Sequence, residues 1–331
     1  MAGSLSLAVV GAGHLGRFHA QQLHGLDPTE PRWIVDPITE RAAALAAEVG
    51  AEVRADVSEI LAEAGAVIIA TPTETHHEIA SAALAAGCHV LVEKPMTATV
   101  PQGEALVAQA EAAGLQLHVG HVERFNPIFV AARDRIGVPA FVESERLAPF
   151  VPRSIDVDVV LDLMIHDLDI LLSLVPHDVE ALDAVGVAVL TAREDIANAR
   201  IRFTNGTVAN LTASRVSQAK VRKIRFFGSE GYLSLDFLAR EGRRAAIRAD
   251  GAGAIDVPGA GRFRVEQEHL TSSPSNAIAS EIGAFREAVG GDESPGVSGR
   301  EALRVLRIAS RIQENVRASL ERFSGWPTPG S

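Results

Sequence analysis

The first 120 residues alternate short apolar runs with longer stretches in which apolar and polar positions interleave at helical spacing. Leu5–Val10, Trp33–Val35, Ala66–Ala70, His89–Val92 and Leu115–Gly120 read as strands, and Gly16–Leu26, Ile38–Val49, Thr75–Ala86 and Gln102–Ala113 as helices. Ala66–Ala70 is apolar throughout and too short for a helix, which suits a strand buried on both faces. Gly87 and Gly114 stand where helix C-caps are expected. Strands separated by helices of about 10–15 residues imply βαβ units and a doubly wound parallel sheet.

The pattern changes near residue 122. Phe141–Arg146, Glu180–Leu190, Ala199–Phe203, Val208–Ser214, Val221–Phe227 and Gly231–Leu238 are strand-like, and Asn205-Gly206 between two of them is a strong hairpin signal. Val157–Leu174 reads as a helix on one face of a largely antiparallel, open sheet. Arg240–Gly261, rich in Gly, Ala and Arg, reads as an exposed hairpin or loop of unassigned role, Ala277–Val289 and Arg300–Leu320 as closing helices, and the Trp-Pro-Thr-Pro-Gly tail as frayed. The expected division is therefore a Rossmann-type domain over 1–121 and an α+β domain over 122–331.

Length agrees, since 331 residues exceed one ordinary core. With 31 Lys+Arg against 42 Asp+Glu the net charge is −11, which argues against nucleic acid or an anionic membrane as the main partner. The 47% hydrophobic and 22% charged residues exclude a disordered or fibrous chain. A single cysteine, Cys88, excludes an intrachain disulfide and any site built from several cysteines. Met1–Ser6 has neither the basic nor the apolar region of an export signal, and no run is apolar enough to span a bilayer. The expectation is a soluble protein of the reducing cytoplasm, in which the Asn205 and Asn210 sequons carry no sugar.

Candidate chemistry begins at Gly11-Ala-Gly13-His-Leu-Gly16, which follows a strand directly and opens a helix. In that context the first glycine permits a tight turn, the second lets a pyrophosphate approach the backbone, and the third lets helix and strand close. The free N–H groups and dipole of the helix then stabilise the anion. Asp36 ends the second strand, twenty residues after Gly16, where a carboxylate accepts hydrogen bonds from ribose hydroxyls and repels a 2′-phosphate. Arg41 is placed to hold such a phosphate, but the nearby charge of Asp36 favours NAD over NADP.

A second cluster is Asp158-Val-Val-Leu-Asp162-Leu-Met-Ile-His166-Asp-Leu-Asp169. On an α-helix Asp162, His166 and Asp169 share one face, and a carboxylate one turn from a histidine can fix its tautomer and raise its basicity. A polar helix face and a metal site of two carboxylates and a histidine are the other readings of the same residues. Hydride removal from a secondary alcohol also needs a group to take the hydroxyl proton. Lys94, at a strand end before Pro95, can serve as that base, or as an ammonium that orients the hydroxyl and stabilises developing alkoxide charge.

The run Glu93-Lys94-Pro95-Met96, with the glycine-rich loop and Ala70-Thr-Pro-Thr-Glu-Thr-His76, resembles the glucose–fructose oxidoreductase / inositol dehydrogenase (Gfo/Idh/MocA) family over essentially the whole chain. The resemblance implies NAD as cofactor. It places Lys94 beside the nicotinamide, Glu93 near its ribose, Pro95 in a cis bond, and Thr71, Pro72, Thr73 and His76 along the cofactor with His14 and Leu15. It also implies His166 as acid/base with Asp162 as partner, and no metal. His121-Val-Glu-Arg124-Phe125-Asn-Pro matches the family's interdomain run at Arg124 and Phe125. This puts His121, Glu123 and Arg124 near cofactor and substrate, although a hinge histidine with a structural role fits His121 equally.

Arg124, Arg146, Arg153 and the run from Arg215 through Lys220, Arg222 and Lys223 to Arg225 are candidates for an anionic substrate, with solvated or acid-paired arginines as the competing account. Three runs, at His121–Pro127, Asp162–Asp169 and Asp195–Arg200, are similar to a narrower group, the UDP-N-acetylglucosamine 3-dehydrogenases. That similarity implies oxidation of a nucleotide-sugar hydroxyl, with arginines on the diphosphate. The alternatives are an inositol or free-sugar dehydrogenase of the same family and a non-catalytic NAD-sensing regulator. An open sheet with a wide face to cover leads us to expect a homodimer or homotetramer packed sheet to sheet, with Val187, Val189, Ile201, Phe203 and Val208 in that interface or in the core.

Overall fold

The computed structural model describes residues 5–151, 157–191, 193–229, 231–249, 255–257 and 261–322. Two units result: one from the chain up to Phe125 together with Asn276–Arg307, the other from Asn126–Ser275 with the chain from Ile308 onward. The division falls four residues from the expected one, and residues 276–307 join the first unit.

In the first unit six strands form a parallel sheet: β1 (Leu7–Val10), β2 (Trp33–Val35), β3 (Glu52–Arg54), β4 (Ala66–Ile69), β5 (His89–Glu93) and β6 (Leu117–Gly120), in the order β3-β2-β1-β4-β5-β6. The helices are α1 (His14–Leu26), α2 (Thr39–Val49), α3 (Thr73–Ala85) and α4 (Val100–Ala113), with α7 (Ala277–Val289) returning from the far end of the sequence. Successive strand residues point to opposite faces, which explains the unbroken apolar runs. Leu7 and Val9 enter a core with Leu23, Leu45 and Phe285, while Ala8 and Val10 enter one with Leu84, Leu106 and Leu303. β3 is an edge strand with a half-exposed, polar sequence and was not legible as a strand.

The second unit carries a nine-stranded mixed sheet. Its strands are β7 (Phe141–Leu147), β8 (Val179–Val187), β9 (Ile196–Phe203), β10 (Val208–Ser214), β11 (Val221–Gly228), β12 (Gly231–Asp236), β13 (Glu241–Ala249), β14 (Ile255–Val257) and β15 (Gly261–Thr271), ordered β14-β15-β13-β12-β11-β7-β10-β9-β8. Neighbours run antiparallel except β7 and β10, which pair in parallel from Phe141↔Val208 to Leu147↔Ser214. Gly206, at φ +89°, turns the β9–β10 hairpin. Of the hairpin and loop readings of Arg240–Gly261 the hairpin holds, with β13 paired antiparallel along β15 from Glu241↔Thr271 to Ala249↔Phe263. Most inward positions of the strands are apolar, Ser144 and Arg146 of β7 being exceptions, and Ile201 and Phe203, left open as core or interface, are core at 0% exposure. α5 (Pro127–Ala132) meets β12, β13 and β15, and α6 (Ile165–Leu174) meets β7. The last helix, α8 (Gly299–Arg322), contributes to both units.

The helix expected over Val157–Leu174 is not α-helical throughout. Val160–Met164 forms a π-helical turn against β10, and α6 follows directly. Single π turns inside helices recur at functional sites, and this one contains Asp162 and ends two residues before His166. Arg153 and the tail at 326–330 lie outside the described residues. Among the described residues no helix is long and apolar enough to cross a membrane.

Candidate active site

β1 delivers the chain into the glycine-rich turn. Gly11 has φ +102° and donates its N–H to the Val35 carbonyl at 2.7 Å, and a Cβ there would press on the Ala70 carbonyl. A Cβ on Gly16 would overlap the Gly11 carbonyl oxygen, so the loop closes only with glycine at both positions. Gly13 is different, with nothing within 4 Å of where its Cβ would stand. It is the N-cap of α1, and no side chain caps that helix end. An open space over uncapped N–H groups, with no acidic residue in the first turn, fits the diphosphate of a dinucleotide. His14 and Leu15 are exposed beside it, and the His14 ring meets Phe18 edge-on at 4.9 Å.

Asp36 is buried at the end of β2. Its Oδ2 accepts the Ala12 N–H at 2.7 Å, its Oδ1 accepts the Ile38 N–H at 2.8 Å, and Arg41 Nη2 lies 3.0 Å from both oxygens. Burial by itself raises the carboxyl's pKa. The two backbone donors and Arg41 outweigh it and hold the group below the usual carboxylate range. A fixed, ionised carboxylate next to the diphosphate loop suits ribose hydroxyls, and Arg41, half exposed and tied to Asp36, is not a free phosphate reader.

The loops after β4 and β5 are joined by one side chain. His76, on α3 and 1% exposed, has Nε2 at 2.9 Å from the Thr71 carbonyl and Nδ1 at 2.9 Å from the Pro95 carbonyl. Thr75 Oγ1 donates to the Pro72 carbonyl and lies 2.8 Å from Thr71 Oγ1. Thr73, half-buried, opens α3 after Pro72. Lys94 follows Glu93, the last residue of β5, and the Lys94–Pro95 bond is cis. The Glu93 carboxylate is bracketed by His19 Nε2 at 2.8 Å and the Lys94 N–H at 3.2 Å. Burial raises its pKa, but His19 and the Lys94 ammonium pull it lower overall.

At the end of β6, His121 is 1% exposed, and Glu123 and Phe125 are buried. Arg124 reaches Glu301 with Nη1 at 2.9 Å from Oε1. Glu301 also closes a capping box with Ser298 at the start of α8, its Oε2 accepting the Ser298 N–H at 3.0 Å while Ser298 Oγ accepts the Glu301 N–H. Burial raises the Glu301 pKa, and Arg124 and Ser298 more than offset it.

In the second unit Asp162 and His166 are half-buried, one turn apart, while Asp169 is fully buried. Their helix is fastened from several sides. Asp158 Oδ1 accepts the N–H groups of Val160 and Leu161, and Arg215 Nη1 donates to the Val157 carbonyl at 2.6 Å. Asp167, next to His166, accepts from Arg146 Nε at 3.0 Å and Nη2 at 2.7 Å on one oxygen, and from Ser144 Oγ at 2.6 Å on the other. Asp195 gathers the N–H groups of Val189, Leu190 and Thr191, the Thr191 hydroxyl and Arg215 Nε. Burial opposes ionisation there, yet these donors bring its pKa down to about 2. Arg146 and Arg215, expected at the substrate, are thus buried ion-pair partners, at 2% and 6% exposure, that hold the helix bearing His166.

Sequence reasoning missed His19, Asp167, Asp195 and Glu301 as parts of this framework. His19 had a signal, since it stands three residues after Gly16 on the buried face of α1. Among the described residues no group of three His, Cys, Asp or Glu side chains could hold a metal ion.

Residues 5–121 match the model of the oxidoreductase family with an NAD-binding Rossmann fold, and residues 132–234 match the GFO/IDH/MocA C-terminal domain. A UDP-N-acetylglucosamine 3-dehydrogenase from Acidithiobacillus ferrooxidans is 40% identical over 316 residues, covering 95% of this chain and 98% of the relative. Its solved structure superposes with a TM-score of 0.86 at 38% identity, covering 95% of this chain and 98% of that one. An inositol 2-dehydrogenase from Rhizobium meliloti is 28% identical over 95% of this chain and 97% of its own. The Bordetella pertussis WlbA dehydrogenase, solved with NADH and UDP-GlcNAcA, shares the fold with a TM-score of 0.76 at 22% identity, over 95% and 97% of the two chains.

Proposed function

The chain belongs to the Gfo/Idh/MocA oxidoreductase family and its cofactor is NAD; from that premise we propose that it is a UDP-N-acetylglucosamine 3-dehydrogenase, oxidising the sugar's 3-hydroxyl to a ketone. The observation that carries the reading is similarity along the whole of both chains to an enzyme of that name, 40% identical over 95% of this one.

NAD+, when bound, would supply the acceptor for the hydride of the carbinol carbon. The residues that would hold it are the turn Gly11–Gly16, with the uncapped N-terminus of α1 for the diphosphate and Asp36 for the adenosine ribose. Thr71, Pro72, Thr73 and His76 shape the wall beside it. Lys94 Nζ takes the hydroxyl proton as that hydride leaves, so a CH–OH group becomes a carbonyl and one proton reaches the protein. His166, with Asp162 as its partner one turn earlier and the Asp167–Arg146 pair beside it in sequence, is the second unit's acid/base residue. Arg124 and Phe125 belong to the cofactor and substrate wall, while Arg146 and Arg215 serve the framework. The protein is a cytoplasmic homodimer or homotetramer, paired through the open face of the nine-stranded sheet.

Incubation with NAD and UDP-N-acetylglucosamine should release NADH and a product lighter by two hydrogens. Turnover of inositol or a free sugar with none of the nucleotide sugar would overturn the substrate. Lys94→Met should abolish turnover and leave NAD binding intact, and unchanged turnover refutes the base. Sedimentation of a stable monomer refutes the assembly.

A further inference from the structure

We propose that His19 is a positioning residue for Lys94, acting through the carboxylate of Glu93; the inference rests on the reading of Lys94 as the proton acceptor. His19 lies on the second turn of α1, the helix whose open N-terminus meets the diphosphate, and is 1% exposed. Its Nε2 sits 2.8 Å from Glu93 Oε1. Because a carboxylate oxygen only accepts, Nε2 carries the hydrogen. Nδ1 is buried with no hydrogen-bond partner among the described residues, so the ring has a single polar attachment, and that is Glu93.

Glu93 is enclosed on its other sides. Oε2 accepts the N–H of Lys94 at 3.2 Å, so the side chain folds back over the peptide that leads into the candidate base. On β6 a Cβ at Gly120 would come within 3.1 Å of both the carboxyl carbon and Oε2, so glycine there makes the room the carboxylate occupies. The carboxylate is thus held by donors on α1 and just after β5, in the room that Gly120 of β6 leaves, with the Lys94 ammonium bearing on its charge. A charge-assisted hydrogen bond in so small a space fixes direction as well as charge. Without the His19 donor the carboxylate has no reason to keep Oε2 on the Lys94 N–H. The backbone from which Lys94 projects, and the negative charge beside its ammonium, then lose their fixed place. The diphosphate loop, built from glycine backbone and Asp36, is untouched by this change.

Four variants test it: His19→Leu, His19→Gln, Glu93→Gln and Lys94→Met. His19→Leu should lower kcat about tenfold to a hundredfold, the scale of a misplaced reacting group. KM for the sugar nucleotide and Kd for NAD should stay within about twofold, because binding is made elsewhere. His19→Gln, whose Nε2 amide hydrogen reaches the same point, should restore most of kcat. Glu93→Gln, which keeps the shape and removes the charge, should fall as His19→Leu does. A wild-type kcat in His19→Leu, or an equal loss in His19→Gln, overturns the proposal. If His19→Leu does not fold, Glu93→Gln decides alone, and wild-type kcat there refutes it. A readout independent of turnover is the downfield imidazole N–H resonance of His19 in nitrogen-15-labelled protein. It should be present in the wild type and displaced in Glu93→Gln; its absence or indifference to that change counts against the pair. Unchanged turnover in Lys94→Met sinks the reading of the base instead, and leaves this resonance as the measure of the His19–Glu93 pair.

Discussion

Replacing Asp195 by Asn tests whether the buried ion pairs of the second unit hold its fold as the geometry implies. Asp195 is 0% exposed, and its carboxyl titrates at about 2 against an ordinary 3.8. A displacement of that size corresponds to about 2–3 kcal/mol of folding stability at neutral pH. The folded-state pKa is depressed, so this stability is complete above the unfolded value of 3.8 and is lost as pH falls toward 2. By pH 3 about half remains. Asn keeps one acceptor oxygen but turns an NH2 group toward either the three backbone N–H groups or the Arg215 guanidinium, and it leaves that guanidinium buried without a counter-charge. Breaking one side of a buried pair costs about 3–5 kcal/mol. Chemical denaturation followed by far-UV circular dichroism, in wild type and variant at pH 7 and pH 3, should show a gap of that order that narrows at the lower pH. In a cycle with Arg215→Met, the two single losses should sum to more than the double loss. A variant within about 0.5 kcal/mol of wild type at pH 7, the range of an ordinary surface change, would refute the reasoning.

Three further outcomes follow from the same geometry. Asp36→Ser should weaken NAD about 10- to 100-fold, the value of a charged hydrogen bond, and narrow the preference over NADP by releasing Arg41; fluorescence titration with both nucleotides measures it, and an unchanged ratio refutes it. Gly16→Val should abolish NAD binding in the same titration, because its Cβ would overlap the Gly11 carbonyl, and retained affinity would show that the loop tolerates rebuilding. Glu301→Gln should cost about 0.5–1 kcal/mol by removing the charge that faces Arg124 while the amide oxygen still accepts the Ser298 N–H, read as a lower denaturation midpoint. The native Glu301 contribution, from a depressed pKa, should fade as pH drops below the ordinary glutamate range.

The parallel sheet was legible because both faces of its strands are buried. Ala66–Ile69 and Leu7–Val10 are apolar at every position and each meets a glycine at one end, Gly65 before the first and Gly11 after the second, so period and length agreed. β3 escaped because an edge strand of Glu-Val-Arg meets solvent and carries no apolar signature. β13 was legible only as a hairpin or a loop for a related reason: with Arg243, Arg244 and Arg248 in a strand near the sheet's edge, alternation of burial is not written as alternation of hydrophobicity. The return of α7 to the first unit could not be read locally. Helical periodicity shows that a face is buried, and the partners that bury Ile282 and Phe285, among them Leu7, Leu23 and Ile68, lie more than 200 residues earlier.

Backbone requirements were the legible part of the candidate site. Gly11, Gly16 and Asp36 at the first two strand ends are constraints that a dinucleotide loop imposes on spacing, and spacing is visible in sequence. The arginines were not legible as charges, because charge does not reveal whether a guanidinium meets a ligand or a buried carboxylate. Strand parity does carry that information. In β7 the buried residues Val142 and Ser144 are followed at the same parity by Arg146, and beyond β10 the series Ala209, Leu211, Ala213 reaches Arg215. Arg225 has the opposite parity to buried Ile224 and Phe226, is 38% exposed at its side chain, and meets Glu143 and Glu145 across the outer face. An inward arginine at the end of an otherwise apolar series demands a carboxylate from the element packed on that face. The candidates were already present as Asp167 beside His166 and Asp195 at the head of the run Asp195–Arg200. The residues that read as ligands for a diphosphate are, by this parity, the ones that keep His166 where it stands.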